Sequence, residues 1–599
     1  MFKIRLFRIL AAPVGILALF IVFGYFANDY WRYILSLAAS AIVIGMGLTM
    51  LVSFARCITL ATGAFQALGA YTAALLMIVF TLPFPLAVLL GGIVGGLGGF
   101  LLAVPAVRFR SHNLAMVTLV FQSIVIIALR ELKGLTGGAE GLNVPVPTIF
   151  GIAVRSDLAN LVMASVFCCL VLIPLVVLLY GPFGKNLRAL SVNEIGARAF
   201  GIRIEHYLIA AFVISSAAIS MAAAVSAPRV RIIDPESFGL HNSILTLAYP
   251  IVGGLGSVWG GALGGGVLRM LPELLRPIAG YIELILSTIV LVTILFFRGG
   301  LSEIFAQVEA KLGRKPASVS KLPVMYHADI GPSEVELPQK SFDEVLVTNN
   351  IVKRYDALTA VDGVSLKVRS GSLHGIMGPN GAGKTTLFNT ISGFIRADSG
   401  QIRLFGEDVT SGRMEDRINF GVTRTFQNVA IFPALTCRQN VVIGLGRNGI
   451  GSSLRRSVGW AMNTAASREE DERADWALAS VGLADMANLR GDQLSLGDQR
   501  RLEIARAIVS RPRLILLDEP VSGVSHQEVE QLVDLLRTLN KELGATMLVV
   551  EHNIGFLVSL CDTLSVMASG RIIAEGAPEE VVARKDVRHT YFGETEEAA

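Results

Sequence analysis

The run G-P-N-G-A-G-K-T at residues 378–385 has the residue types and spacing that hold a nucleotide's phosphates. Glycines let backbone N–H groups approach phosphate oxygens, and a helix beginning at the lysine turns its positive end toward the anion. Lys384 is expected to reach the β- and γ-phosphates, and Thr385 to bind Mg²⁺. Gly378, Pro379, Asn380, Gly381, Ala382, Gly383 and Thr386 complete the expected ATP-binding set. Further on stands L-I-L-L-D-E-P at 514–520. Its apolar run reads as a buried strand. Asp518 at the end suits Mg²⁺, and Glu519 is placed as the general base for an attacking water.

Strand and helix signals alternate from about Val345 to Tyr591, so these residues sit in a soluble α/β domain. A strand ending near Met377 and a helix starting near Lys384 would flank the phosphate loop. Residues 301–343, with scattered Pro, Ser and Lys, read as a linker. The expected division is 1–300, 301–343 and 344–599.

Residues 1–300 differ in kind: they hold 19 Lys/Arg but only 10 Asp/Glu. Apolar runs near 8–26, 31–53, 57–80, 83–105, 113–133, 157–180, 207–228, 240–264 and 278–297 approach the roughly 20 residues that cross a bilayer. The N-terminal run lacks a convincing cleavage site and reads as a retained helix. With the N-terminus inside, Lys3, Arg5, Arg8, Arg56, Arg108, Arg110, Lys185, Arg188, Arg198, Arg203 and Arg298 fall inside. Only Arg32, Arg130, Lys133, Arg155, Arg229 and Arg231 fall in the outside links, as the positive-inside rule asks. ATP lies in the cytoplasm, so the crossings must be even. Eight or ten are expected, with 240–264 re-entrant or joined by 265–275, and with irregularity in the glycine-rich 253–266 stretch. Membrane lipid is a partner, and nothing is basic enough for nucleic acid. Glu283 is the one acid well inside a candidate span, a functional candidate by default. The cysteines Cys57, Cys168, Cys169, Cys437 and Cys561 show no metal or disulfide spacing.

The basic loop at 181–206 contains N-E-I-G-A-R-A-F-G-I at 193–202, an amphipathic turn ending at a glycine. Its Glu194, Ala197 and Gly201 resemble the coupling motif of ABC importer permeases. The second half resembles ABC transporter ATPases over nearly its length. That resemblance implies that Gln427 in T-F-Q-N senses Mg²⁺ and the permease. It implies that Ser495, Leu496, Gly497 and Asp498 in L-S-L-G-D form the signature facing a partner's ATP. His552 in V-E-H would be the switch histidine on the γ-phosphate, and Tyr355 the aromatic stacked on adenine.

The resemblance narrows to branched-chain amino acid importers. R-T-F-Q-N-V-A-I-F-P-A-L-T, R-R-L-E-I-A-R-A and Y-F-G-E carry it in the ATPase half. G-A-Y-T-A-A-L-L at 69–76, L-T-G-G-A-E-G-L at 135–142, D-P-E-S-F-G at 234–239, G-G-L-G-S-V-W-G at 253–260 and L-P-E-L-L-R at 271–276 carry it in the membrane half. It implies a permease and ATPase in one chain of the bacterial cytoplasmic membrane, using ATP and Mg²⁺. It also implies a second permease and ATPase (or a homodimer) and an extracytoplasmic binding protein. Urea, amides or small carboxylates are alternative solutes, and export an alternative direction. Departures are Thr62, where such permeases often have His; Leu496 and Asp498, where Gly and Gln are commoner; and Ser525, where Asp or Asn is usual.

Overall fold

The computed structural model describes residues 2–108, 112–149, 151–297, 299–303, 342–446 and 449–592. Most of 301–343, the basic residues at 110 and 298, and the last two residues of Y-F-G-E lie outside them. The chain forms two compact units. The first comprises Met1–Ser191, Ile204–Ser318 and Ser453–Asn463; the second comprises Val192–Arg203, Val319–Ser452 and Thr464–Ala599.

Among the described residues of the first unit, seven helices are long and apolar enough to cross a membrane. They are α1 (Phe2–Phe26), α2 (Asp29–Leu48, continued by a π-turn to Phe54), α3 (Thr62–Val79), α4 (Phe84–Arg108), α5 (His112–Glu131), α6 (Asp157–Tyr180) and, after two short helices, Ile204–Val230. Those short helices are α7 (Pro182–Val192) and α8 (Glu194–Arg198), which makes Ile204–Val230 α9.

Three expected spans differ. Residues 57–61 are not helical, and α3 begins at Thr62. Side chains of other helices satisfy the freed backbone: Leu60 N–H donates to Thr118, Gly63 N–H to Ser243 and Ala64 N–H to Gln122. Non-helical backbone at membrane depth persists only with such partners. The 240–264 run is two helices, α10 (Leu240–Gly253) and α11 (Gly260–Leu274), with Gly254 at φ +119° and Gly256 at φ +95° between them. The second absorbs the ambiguous 265–275 run. At 14 and 15 residues each arm is about 21–23 Å long, short of a 30 Å core. These lengths favour a re-entrant hairpin. The last expected span starts late, as α12 (Ile282–Phe296) after a 3₁₀ run, and at 15 residues it is no longer than α11. Glu283 is therefore an exposed residue in its first turn, where a carboxylate suits the helix dipole, rather than a mid-span acid.

Helix α2 is buried from Ile34 to Leu48. Its contact with α11 is made by small residues: a Cβ on Gly45 would collide with the Gly261 carbonyl, and one on Gly265 with the Ala41 carbonyl. Thr49 Oγ1 accepts the Gly261 N–H at 3.0 Å, capping the N-terminus of α11 beside the π-turn.

The second unit carries two sheets. One orders β1 (Glu344–Tyr355), β2 (Leu358–Arg369) and β4 (Ser399–Leu404) as β2-β1-β4 with a two-residue edge strand. The other follows the order β5-β6-β7-β3-β8-β9. Its strands are β3 (Leu373–Met377), β5 (Val422–Arg424), β6 (Leu514–Asp518), β7 (Thr546–Val550), β8 (Thr563–Ala568) and β9 (Arg571–Gly576). All its neighbours are parallel except β8 and β9. Strands β3, β6 and β7 are wholly buried, so they read as unbroken apolar runs.

Candidate ATP site and coupling segment

Four neighbouring parallel strands deliver the chemistry to one sheet edge. β3 ends into the phosphate loop, β7 into Glu551 and His552, β6 at Asp518, and β5 runs toward Gln427. Ligands of open α/β sheets bind beyond such carboxyl ends.

The loop turns at Gly381 (φ +81°) and Gly383 (φ +96°) into α13 (Lys384–Ile391). Among the described residues no acceptor takes the backbone N–H of Gly381, Gly383, Lys384, Thr385 or Thr386. Such a row of open donors at a helix start fits a polyphosphate. Lys384 Nζ donates to the Gly378 and Pro379 carbonyls at 2.6 and 3.0 Å, leaving a third N–H for a ligand. Burial pulls its pKa down, and the Glu519 and Glu551 carboxylates counter this. Thr385 is exposed. A Cβ on Gly383 would strike the Ala360 carbonyl, so β2 walls the loop. Tyr355, 44% exposed, stands at the turn of the same β1–β2 hairpin.

Asp518 is buried, and its Oδ2 accepts from Arg424 at 2.8 Å. Burial raises the Asp518 pKa, and Arg424 opposes the rise. Arg424 also donates to Ser392 Oγ and lies on the faces of Phe388 and Phe426. Arg424 is thus the counter-charge to Asp518, whose Oδ1 accepts no hydrogen bond among the described residues. With the exposed Thr385 hydroxyl, the oxygen donors suit Mg²⁺. Glu519 sits at φ +45°, its N–H tied to the Val550 carbonyl, and its Oε2 accepts from Gln427 Nε2 at 2.8 Å. His552 is exposed, with Nδ1 3.3 Å from Glu551. Glu551 is fully buried and accepts from the N–H groups of Val521, His552 and Asn553.

Sequence reading missed the residues that hold the Gln427 loop. Arg500 donates to the Phe426 and Gln427 carbonyls at 2.8 and 2.5 Å, and buried Glu503 accepts from the Phe426 and Ala430 N–H groups. Both lie on α14 (Leu496–Ile508), inside the quoted R-R-L-E-I-A-R-A. Their i, i+3 spacing was the available signal. Ser495 N-caps this helix, accepting the Asp498 N–H and donating to Asp498 Oδ2. Leu496 is exposed, and Gly497 packs on Glu528. Among the described residues no hydrogen bond or ion pair joins Ser495, Leu496, Gly497 or Asp498 to the phosphate loop. Ser525 donates through its N–H and hydroxyl to Glu528 at the start of α15 (His526–Leu543).

The segment Val192–Arg203 belongs to the second unit although α7 and α9 flank it. Glu194 pairs with Arg198 at 2.9 Å, and Arg198 Nε is 3.6 Å from buried Glu415. Arg203 pairs with Asp416 at 2.7 Å. Ala197 and Phe200 are fully buried, and Arg506 lies over the Phe200 ring. Gly201 takes φ +79° where a Cβ would press on Ile418. Conversely, Ser453–Asn463, most of it in helix Ile450–Ala461, belongs to the first unit. Tyr207 OH donates to Ser453 Oγ at 2.6 Å, and Ser457 Oγ accepts the Phe183 N–H.

Two protein families match. Residues 30–297 match the family described as a branched-chain amino acid transport system permease component, and 361–522 match the ABC transporter family. The high-affinity branched-chain amino acid transport ATP-binding protein BraF of Pseudomonas aeruginosa is 37% identical over 253 residues, 42% of this chain and 98% of that protein. LivG of Escherichia coli, described in the same words, is 34% identical with the same coverage. A solved ATP-binding cassette of an ABC transporter in an ADP conformation is 32% identical, covering 42% of this chain and 99% of that one, with a TM-score of 0.37.

Proposed function

Since this chain belongs to the ABC transporter family, a membrane protein carrying a branched-chain amino acid permease component and a transport ATPase in one polypeptide, we propose that it imports branched-chain or other hydrophobic amino acids. The observation that carries the coupling is the seating of Ala197, Phe200 and Gly201, from a loop between permease helices, in the ATPase unit. Closure of the cassette on ATP would then move α7 and α9, and hydrolysis would reset them. The chain has one phosphate loop and one signature, so its ATP sites are completed by a second ATPase beside a second permease. A binding protein outside the cytoplasmic membrane delivers the solute.

In this reading Lys384 and the open N–H row hold the phosphates, and Thr385, Asp518 and Gln427 hold Mg²⁺. The cation supplies charge neutralisation at the phosphates when bound. Glu519 takes the proton of the attacking water, and His552 contacts the γ-phosphate. Tyr355 stacks on adenine.

Labelled leucine, isoleucine, valine and urea are supplied to cells with and without the gene. Loss of leucine, isoleucine and valine uptake on deletion is expected. Unchanged uptake of all three would overturn the solute assignment, and gene-dependent efflux would overturn the direction.

A further inference from the structure

The first unit holds an open pocket of about 340 Å³, lined in part by exposed residues such as Arg269 and within the range of small-ligand sites. One face of α2 lines it at helical spacing through Tyr33, Leu37, Ser40, Ala41 and Ile44. Faces of α3, α9, α10 and α11 close the rest. The wall is apolar along Leu37 and Ile44 and polar at Gln66, Asn242 and Arg269.

One of these polar groups keeps a buried donor that makes no hydrogen bond. Gln66 is 8% exposed; its Oε1 accepts from Asn242 at 3.3 Å, but its Nε2 donates to nothing. Ser40 is 3% exposed, and its Oγ stands beside the buried Cys168 thiol. Leaving such a donor as Gln66 Nε2 unpaired costs about 1–3 kcal/mol, and Gln66 must turn its side chain to present it to the pocket. Arg269 has no ion pair or hydrogen bond among the described residues, and no acid lines the cavity.

We infer that this cavity is a solute site for a small carboxylate with an aliphatic chain, the carboxylate on Arg269 and the chain along Leu37 and Ile44. On turning its side chain, Gln66 Nε2 donates to the solute. A neutral amide such as leucinamide lacks the group that Arg269 selects. The inference rests on the import reading and adds the group by which the solute is recognised. The cavity also reaches Ile232, Ile233 and Ser237, on the link that basic-residue counting puts outside.

Ser226, on α9, also lines the cavity. In the full assembly, a Ser226→Cys variant is labelled with a small thiol reagent and read against the unsubstituted chain, whose five cysteines are buried. Leucine and 4-methylpentanoate should slow labelling while leucinamide does not. Adding Arg269→Gln should weaken that protection about tenfold or more, the loss of a charge-assisted hydrogen bond, and Arg269→Lys should restore part of it. Equal protection by leucinamide, no protection by any of the three, or no effect of Arg269→Gln would overturn the site. Leucine uptake by the unsubstituted chain is measured alongside. Uptake without protection sinks the cavity alone, and protection without uptake sinks the import reading alone.

Discussion

Gln427 Nε2 donates to Glu519 Oε2 at 2.8 Å, tying the loop after β5 to the carboxylate after β6. The bond restrains a side chain whose backbone is held in the left-handed region. Glu519→Gln should keep ATP binding and slow turnover by about 10²-fold or more, the scale of a lost general base. Gln427→Ala should slow turnover less and leave its pH profile in place. Single-turnover hydrolysis and nucleotide-binding titration separate the two effects, and ordinary hydrolysis by Glu519→Gln would remove Glu519 from its role.

Gly201→Val puts a branched Cβ at φ +79° against Ile418. Solute uptake per ATP hydrolysed should fall about fivefold or more, the scale of a lost coupling energy. Arg198→Ala should act in the same direction through Glu415. Reconstituted vesicles report both quantities together.

Ser525 secures the first turn of α15 through Glu528. Ser525→Ala should loosen that turn by about 1 kcal/mol, and Ser525→Thr should restore it. Hydrogen exchange of peptides at the start of α15 measures the change.

His374 is buried on β3 with Nε2 2.8 Å from Ser565 Oγ, and burial lowers its pKa to about 4. The unfolded chain, with an ordinary imidazole near 6.5, binds the extra proton between pH 6.5 and 4. The neutral native ring contributes no pH-dependent penalty above that window. Stability should fall by about 3 kcal/mol as pH drops through it and level off below. Hydrogen exchange of β3 in the wild-type chain should follow this curve, and a His374→Gln variant should lack it.

Gly45→Leu should separate α2 from α11, an overpacking cost of about 1–3 kcal/mol. A lower thermal midpoint of the full chain in detergent is expected; an unchanged midpoint would show that the two helices can part without loss.

Much of the ATPase half could be read in advance because its signals are local. The loop at 378–385 needs a strand before and a helix after, and β3 and α13 end and begin where the chemistry asks. The membrane half was legible as apolar length and less so as helix ends. Hydropathy does not register that Thr118, Gln122 and Ser243 can serve the backbone of 60–64, so 57–80 reads as one span.

Motif order and composition by themselves determined that this chain joins a membrane permease to a nucleotide-driven ATPase. Only the tertiary structure decided that Arg424 holds Asp518, that Arg500 and Glu503 grip the Gln427 loop, and that Phe200 and Ser453 each pack in the unit opposite to their flanking chain. Those contacts span up to some hundreds of residues of sequence. A local pattern of apolar and polar residues states which face is buried and leaves open what that face meets.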